Sequence, residues 1–235
     1  MKILQIMAPK EIVIRDVAAP RPGAGEVLMR VNAVTTCPQW DLHLWRNEPM
    51  FVGGRLNFPY TAGQPGHEAT GVVEAVGPGV ADLAPGDRVS AWRDPGHQGP
   101  GCYAQYVVHR AENVIRVPDG LPDEALAPVE LAMCVGTVFR MLKTMDAVRG
   151  RCFGVTGLGP AGLVAVQMAK AEGAREVIGF DPNPGRRSLA CRLGAKACHD
   201  PRDGSSLPDG LRIESSVDCV GAKASVEFLM DRTDD

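Results

Sequence analysis

The sequence has no Cys-x-x-Cys pair, although it holds seven cysteines. Their number is odd and their spacing wide: Cys37, Cys102, Cys134, Cys152, Cys191, Cys198 and Cys219. A disulfide framework is therefore not expected, and a reducing cytoplasm is the expected compartment. Most of these cysteines read as small buried hydrophobes. A long basic run is missing too, and the formal net charge is -3. That balance favours neither nucleic acid nor an anionic membrane as partner. No apolar stretch approaches the length of a membrane span. The N-terminal MKILQIMAPKEIVIRD carries charges too early and too often for a secretion signal. Internal repeats and low-complexity segments are absent.

What is present suits a folded chain. The 235 residues are 45% hydrophobic and 23% charged, enough to build one large core or two ordinary ones. Two halves carry different punctuation. In the first, KEIVIRDV, EVLMRVNAV, TGVVEAVG, DRVSAW and AQYVVHR are short and Val-rich, and Pro- and Gly-bearing turns separate them. Strands at this spacing predict a small barrel or sandwich. PDGLPDEALAP marks a boundary, and VELAMCVGTVFRMLKTM, from Val129, has helical spacing of apolar residues. Beyond it, strand candidates RCFGVT, EVIGFD, AKACHD and SSVDCVG alternate with helical GPAGLVAVQMAKAEGA, RRSLACRLGA and AKASVEFLM. Alternation of this kind predicts a parallel sheet with helices on its faces.

The first strand of that second half runs into GLGPAG, with Gly157, Gly159 and Gly162 as GxGxxG. The first glycine allows the turn, the second lets backbone approach a pyrophosphate, and the third lets helix and strand pack closely. The helix N-terminus offers free N–H groups to the anion. The second strand ends in Asp181, 19 residues after Gly162, where an acidic side chain takes the ribose hydroxyls of NAD. It would also repel a 2′-phosphate, so NAD is expected over NADP. Arg186 and Arg187 weaken that preference. A glycine turn without a cofactor is the bland alternative.

The first half sets a histidine and a glutamate side by side in GQPGHEATGVVEAVG. His67 could offer an imidazole, Cys37 a thiolate, and Glu130 a carboxylate, with Glu68 beside them. Catalytic zinc takes three protein ligands and keeps one position open. The groups lie far apart in sequence, so spacing alone proves no site, and a satisfied surface His–Glu pair is the bland alternative.

GHEATGVVEAVG resembles the GHExxGxVxxVG signature of the medium-chain dehydrogenase/reductase superfamily, in its zinc-dependent alcohol dehydrogenase-like group. GAGEVLMRVNAV, DLH, GDRV, AQYVV, VPDGLPDEAL, ELAMC, GLGPAGL and GFDPNPGRRSLACRLGA resemble further segments of that family in the same order. The resemblance implies an α/β chain with a GroES-like β-barrel over 1–125 and an incomplete doubly wound Rossmann domain over 126–235. It implies one catalytic zinc on Cys37 and His67, with Glu68 in or just behind that set. Glu130 would be the remaining ligand and Cys134 a second candidate for it. Asp41 would support the site, and His43 would end a proton relay to solvent. The implied reaction passes hydride between an alcohol or polyol, or its carbonyl product, and NAD(H).

The pattern breaks in three places. Gln39 stands two residues after Cys37, where the family has Ser or Thr, and one extra residue separates Cys37 from Asp41. An amide cannot relay a proton as a hydroxyl does; a water, Thr35 or Thr36 would have to serve. Only Cys102 lies between Val89 and Val107, so no structural zinc is expected. The second half offers four strands where a doubly wound sheet has six, so the chain is expected to be a fragment or a truncated product. A full-length form could assemble as a homo-oligomer. Two other readings stay open: a metal-free quinone or enoyl reductase, and a non-catalytic nucleotide-binding protein. Trp45, Phe51 and Trp92 could line a pocket or belong to core and rim. Thr137 and Cys219 to Gly221 could face nicotinamide or serve packing. His97, His109 and His199 read as surface or loop residues.

Overall fold

The computed structural model describes residues 1–49, 56–93, 99–203, 208 and 210–234. Phe51 and His97 lie outside them. The chain divides into two compact units, Met1–Leu131 and Ala132–Asp235.

In the first unit, β1 (Lys2–Ala8) and β2 (Glu11–Asp16) form an antiparallel hairpin. β3 (Glu26–Thr35) is followed by helix α1 (Pro38–Arg46). Then come β4 (Glu68–Val76), β5 (Arg88–Ala91), β6 (Tyr106–Arg110) and β7 (Val114–Arg116). A short α2 (Asp123–Leu126) precedes α3 (Val129–Thr144), which crosses the unit boundary. The five-stranded antiparallel sheet has the order β6-β3-β4-β5-β7. Its inner face is built by Val27, Met29, Val73, Val89 and Val107. Each such side chain contributes about 1.5–3 kcal/mol when taken from water.

One register decides where the functional residues go. β3 and β4 pair antiparallel up to Val34↔Ala69 and Thr35↔Glu68. Cys37 lies two residues past one end of this ladder, and His67 one residue before the other. The ladder therefore delivers both side chains to the same rim. After Cys37 the chain turns into α1, with Pro38 in its first turn and Asn47 closing it in the left-handed conformation. Leu44 is buried against Ile6 and Tyr60, and this contact holds the helix in place.

The second unit is a four-stranded parallel sheet. β8 (Cys152–Thr156), α4 (Pro160–Ala171), β9 (Glu176–Phe180), α5 (Pro184–Arg192) and β10 (Ala197–His199) follow one another. β11 (Ser215–Asp218) and α6 (Lys223–Met230) complete it. The order is β10-β9-β8-β11, or third, second, first and fourth in chain order, as a doubly wound sheet begins. β8 is buried along its whole length, as a central parallel strand must be. The fold class stands as the sequence implied.

Several expectations are corrected. His109 is not a surface residue: it is 2% exposed, with Nε2 3.4 Å from Cys102 Sγ. Strand alternation puts it on the same inner face as Val107. His199 ends β10 and lies beside the Phe180 ring rather than in a loop. Only Cys102 and Cys152 are buried; Cys134 and Cys191 are exposed, and none of the seven is in a disulfide. The stretch Asp123–Thr144, 22 residues, is long and apolar enough by length and composition to cross a membrane, contrary to the sequence reading. Glu130 and Arg140 are the only charges between Ala125 and Leu142.

Candidate metal centre and dinucleotide site

At the rim where β3 and β4 end, the ligand atoms of Cys37, His67 and Glu68 all lie within 4.8 Å of one another. His67 Nδ1–H donates to the Pro65 carbonyl at 2.8 Å, which leaves Nε2 to face the cluster. Nε2 is 3.8 Å from Glu68 Oε1 and 3.9 Å from Glu130 Oε2. Donors around a tetrahedral zinc sit about 3.3–3.8 Å apart, from bond lengths of about 2.0–2.3 Å. The separations at His67 already approach that spacing. Of the two candidates on α3, Glu130 is therefore the one that reaches His67, whereas Cys134 is exposed.

Thr35 Oγ1 donates to Glu68 Oε2 at 2.6 Å, across the last rung of the β3–β4 ladder. Glu68 is 3% exposed, so this bond fixes one carboxylate oxygen and turns the other toward His67. Burial by itself would lower the pKa of His67. Cys37, the Pro65 carbonyl and the Glu130 carboxylate together outweigh it and raise the value to about 9. A thiol, an imidazole and two carboxylates are thus gathered in a partly buried place. The imidazolium is the cation that the cluster supplies for itself. These are zinc-type donors, and the residues fit a zinc ion.

Asp41 lies on the first turn of α1, where Oδ2 accepts from Tyr103 Oη at 2.5 Å. Oδ1 is buried and has no hydrogen-bond partner among the described residues. Burial raises the Asp41 pKa although the Tyr103 hydroxyl works against it. Burial and then Asp41 raise that of Tyr103. His43 is half-exposed on the same helix. Its Nδ1 is 3.2 Å from the Glu48 carbonyl, and its Nε2 is 2.9 Å from Gln39 Nε2. Gln39, the departure noted two residues after Cys37, thus donates to His43. The sequence reading missed Tyr103 altogether, and it named Thr35 without the partner it has. Neither carried a signal, because the partners are 62 and 33 residues away.

The remaining aromatic candidates divide. Trp45 packs onto the buried cluster of Ile6, Leu44 and Tyr60. Trp92 donates Nε1–H to the Glu112 carbonyl at 2.9 Å at the sheet edge.

In the second unit, a cavity of about 550 Å³ opens at the C-terminal ends of the strands. Thr156, Gly157 and Gly159 line it after β8, Asp181 after β9, and Cys219 and Val220 after β11. This is the switch point of the sheet, where α/β folds take ligands. Gly157 has φ +78°, which favours glycine, and a Cβ on Gly162 would lie 1.8 Å from the Gly157 carbonyl oxygen. A Cβ on Gly159, at the N-cap of α4, would meet nothing within 4 Å. This open cradle, with the helix N–H groups behind it, fits a pyrophosphate.

Asp181 is 2% exposed, and its carboxylate accepts from Leu158 N at 2.8 Å and Asn183 N at 2.7 Å. It therefore staples the glycine turn to the second strand. Each oxygen keeps a further lone pair for a ligand hydroxyl. Arg186 Nη1 stands 3.6 Å from Asp181 Oδ2, while Arg187 donates to the Asp181 carbonyl instead. Thr137 is spent on a bond to Met133 in its own helix.

Residues 23–119 match the model of the alcohol dehydrogenase GroES-like domain, and residues 160–233 that of the zinc-binding dehydrogenase. An alcohol dehydrogenase of Moraxella sp. (strain TAE123) is 31% identical over 92% of this chain and 69% of its own length. An L-threonine 3-dehydrogenase of Thermococcus kodakarensis is 32% identical over 90% of this chain and 66% of its own. A solved structure of an NAD-dependent alcohol dehydrogenase superposes with a TM-score of 0.81 at 26% identity, covering 99% of this chain and 74% of that one. The chain spans between 57% and 69% of the length of the curated relatives it matches.

Proposed function

The chain belongs to the zinc-type, alcohol dehydrogenase-like family of medium-chain dehydrogenases, and on that premise we propose that it is an oxidoreductase passing hydride between an alcohol or polyol and NAD(H). The observation that carries this reading is the convergence of Cys37, His67, Glu68 and Glu130 at one rim. Those four side chains would hold zinc. Zinc bound there would supply Lewis-acid polarisation of a substrate oxygen, and nicotinamide bound by the second unit would accept the hydride.

The residues' own tasks follow from their bonds. Thr35 keeps one oxygen of Glu68 occupied, so the other is presented to the centre. His67 is oriented by the Pro65 carbonyl and must give up its extra proton before it can ligate. The proton that leaves the alcohol needs a way out. His43, half-exposed and bonded to Gln39 and the Glu48 carbonyl, would end that way at solvent, with water carrying the proton that the Gln39 amide cannot relay. In the second unit the α4 N-terminus would hold the pyrophosphate and Asp181, with Arg186 3.6 Å from its Oδ2, the ribose hydroxyls. Asp181 disfavours a 2′-phosphate, hence NAD rather than NADP.

The test is NADH formation at 340 nm from a panel of primary, secondary and polyhydric alcohols, with the zinc-loaded chain and its His67→Ala variant. Turnover in the former and none in the latter is expected. NADH binding without turnover on any alcohol would contradict the reading and favour a non-catalytic nucleotide binder.

A further inference from the structure

We propose that Tyr103 is a positioning residue that assembles the metal centre before any metal arrives, by tying the Cys37-bearing helix to the His67-bearing turn. The inference rests on the zinc reading above.

Cys37 enters the centre from the N-terminus of α1, and Asp41 is one turn along. The Asp41 N–H donates to the Cys37 carbonyl at 2.9 Å, so the position of Asp41 sets that of Cys37. His67 enters from the turn formed by Gly63 to Gly66, just before β4. α1 meets the exit of that turn where the Trp40 and His67 rings lie edge-on, centroids 6.2 Å apart. Tyr103 touches both. Its Oη donates to Asp41 Oδ2 at 2.5 Å. Its backbone N–H donates to the Gly63 carbonyl at 3.0 Å, and its carbonyl accepts from Leu4 N on β1 at 2.8 Å. Its ring packs closely against the turn: a Cβ on Gly66 would come 2.8 Å from the ring Cγ. Cys102, beside it, donates its N–H to the Gly66 carbonyl at 2.7 Å.

Tyr103 is thus anchored by its backbone, packed under one ligand-bearing segment and bonded at its tip to the other. The bond has work to do because Asp41 is a partly buried carboxylate. Asp41 Oδ1 has no other partner among the described residues. Without the hydroxyl, neither carboxylate oxygen of Asp41 would have a partner, and the need for water would draw it outward. The first turn of α1 would follow, and Cys37 would leave its place beside His67.

The experiment measures zinc affinity of the full chain by competition with a chromophoric chelator, together with the cobalt(II) d–d spectrum. Tyr103→Phe keeps the ring and removes the hydroxyl. Loss of a group supporting metal ligands weakens binding by about 10- to 100-fold, and that drop is expected here, with an altered cobalt spectrum and an unchanged metal-free circular dichroism. In an Asp41→Ala background the same substitution should add nothing. Should Tyr103→Phe fail to fold, Asp41→Ala alone probes the bond from its other end, with the same drop expected. Affinity within about twofold of wild type, even with a lower thermal midpoint, would overturn the tether and leave the zinc reading intact. A wild-type chain that binds neither metal would overturn the zinc reading and the tether with it.

Discussion

His67 holds the charge balance of the centre. Its pKa of about 9 stands above the ordinary 6.5, so the proton is favoured in the metal-free fold. The protonated form therefore stabilises that fold fully below pH 6.5, and the contribution is lost as pH rises through about 9. A metal must displace this proton. Between those limits the release of the His67 proton adds about tenfold per pH unit to zinc affinity, besides the proton that the Cys37 thiol gives up on binding. Calorimetry in buffers of different ionisation enthalpy would count that proton, and an affinity flat across the range would contradict the assignment. The ligand residues were legible only in part. Gly-His-Glu stood out, and Cys37 and Glu130 were candidates by residue type and then by family resemblance, but spacing alone could not bring them together. What does so is the Thr35↔Glu68 rung, a pairing that no local pattern announces. The Thr35–Glu68 and Tyr103–Asp41 bonds stayed hidden for the same reason, as did the inward face of His109.

Among the elements, α1 matters most to the site and was left unread, as were β1, α2 and β7. Its sequence, PQWDLHLWR, has a single fully buried residue, Leu44, too little apolar repeat to declare a helix. Pro38 near its start and Asn47 past its end were its only local marks. The Val-rich strands of the sheet were legible because alternation persists over their length. β7, with three residues, offered no period to read. Because Leu44 seats α1 on Ile6 and Tyr60, Leu44→Ala should lower unfolding stability by about 2–5 kcal/mol. Urea unfolding followed by circular dichroism measures this, and a loss below about 1 kcal/mol would mean that α1 is held elsewhere.

For the whole molecule, the parallel order β10-β9-β8-β11 follows from strand–helix alternation and right-handed crossovers, and the second unit was legible almost throughout. Its glycine turn is fixed by sterics local to GLGPAG, which is why the motif could be read without coordinates. The first unit was legible as strands, whereas its metal rim depends on long-range register. The central claim is that this rim binds zinc through Cys37, His67, Glu68 and Glu130. The most direct test is zinc content by inductively coupled plasma mass spectrometry, on the purified chain and its Cys37→Ser variant. About one zinc per chain, lost in the variant, is the predicted result. A folded wild-type chain without zinc, or a variant that keeps it, would contradict the account.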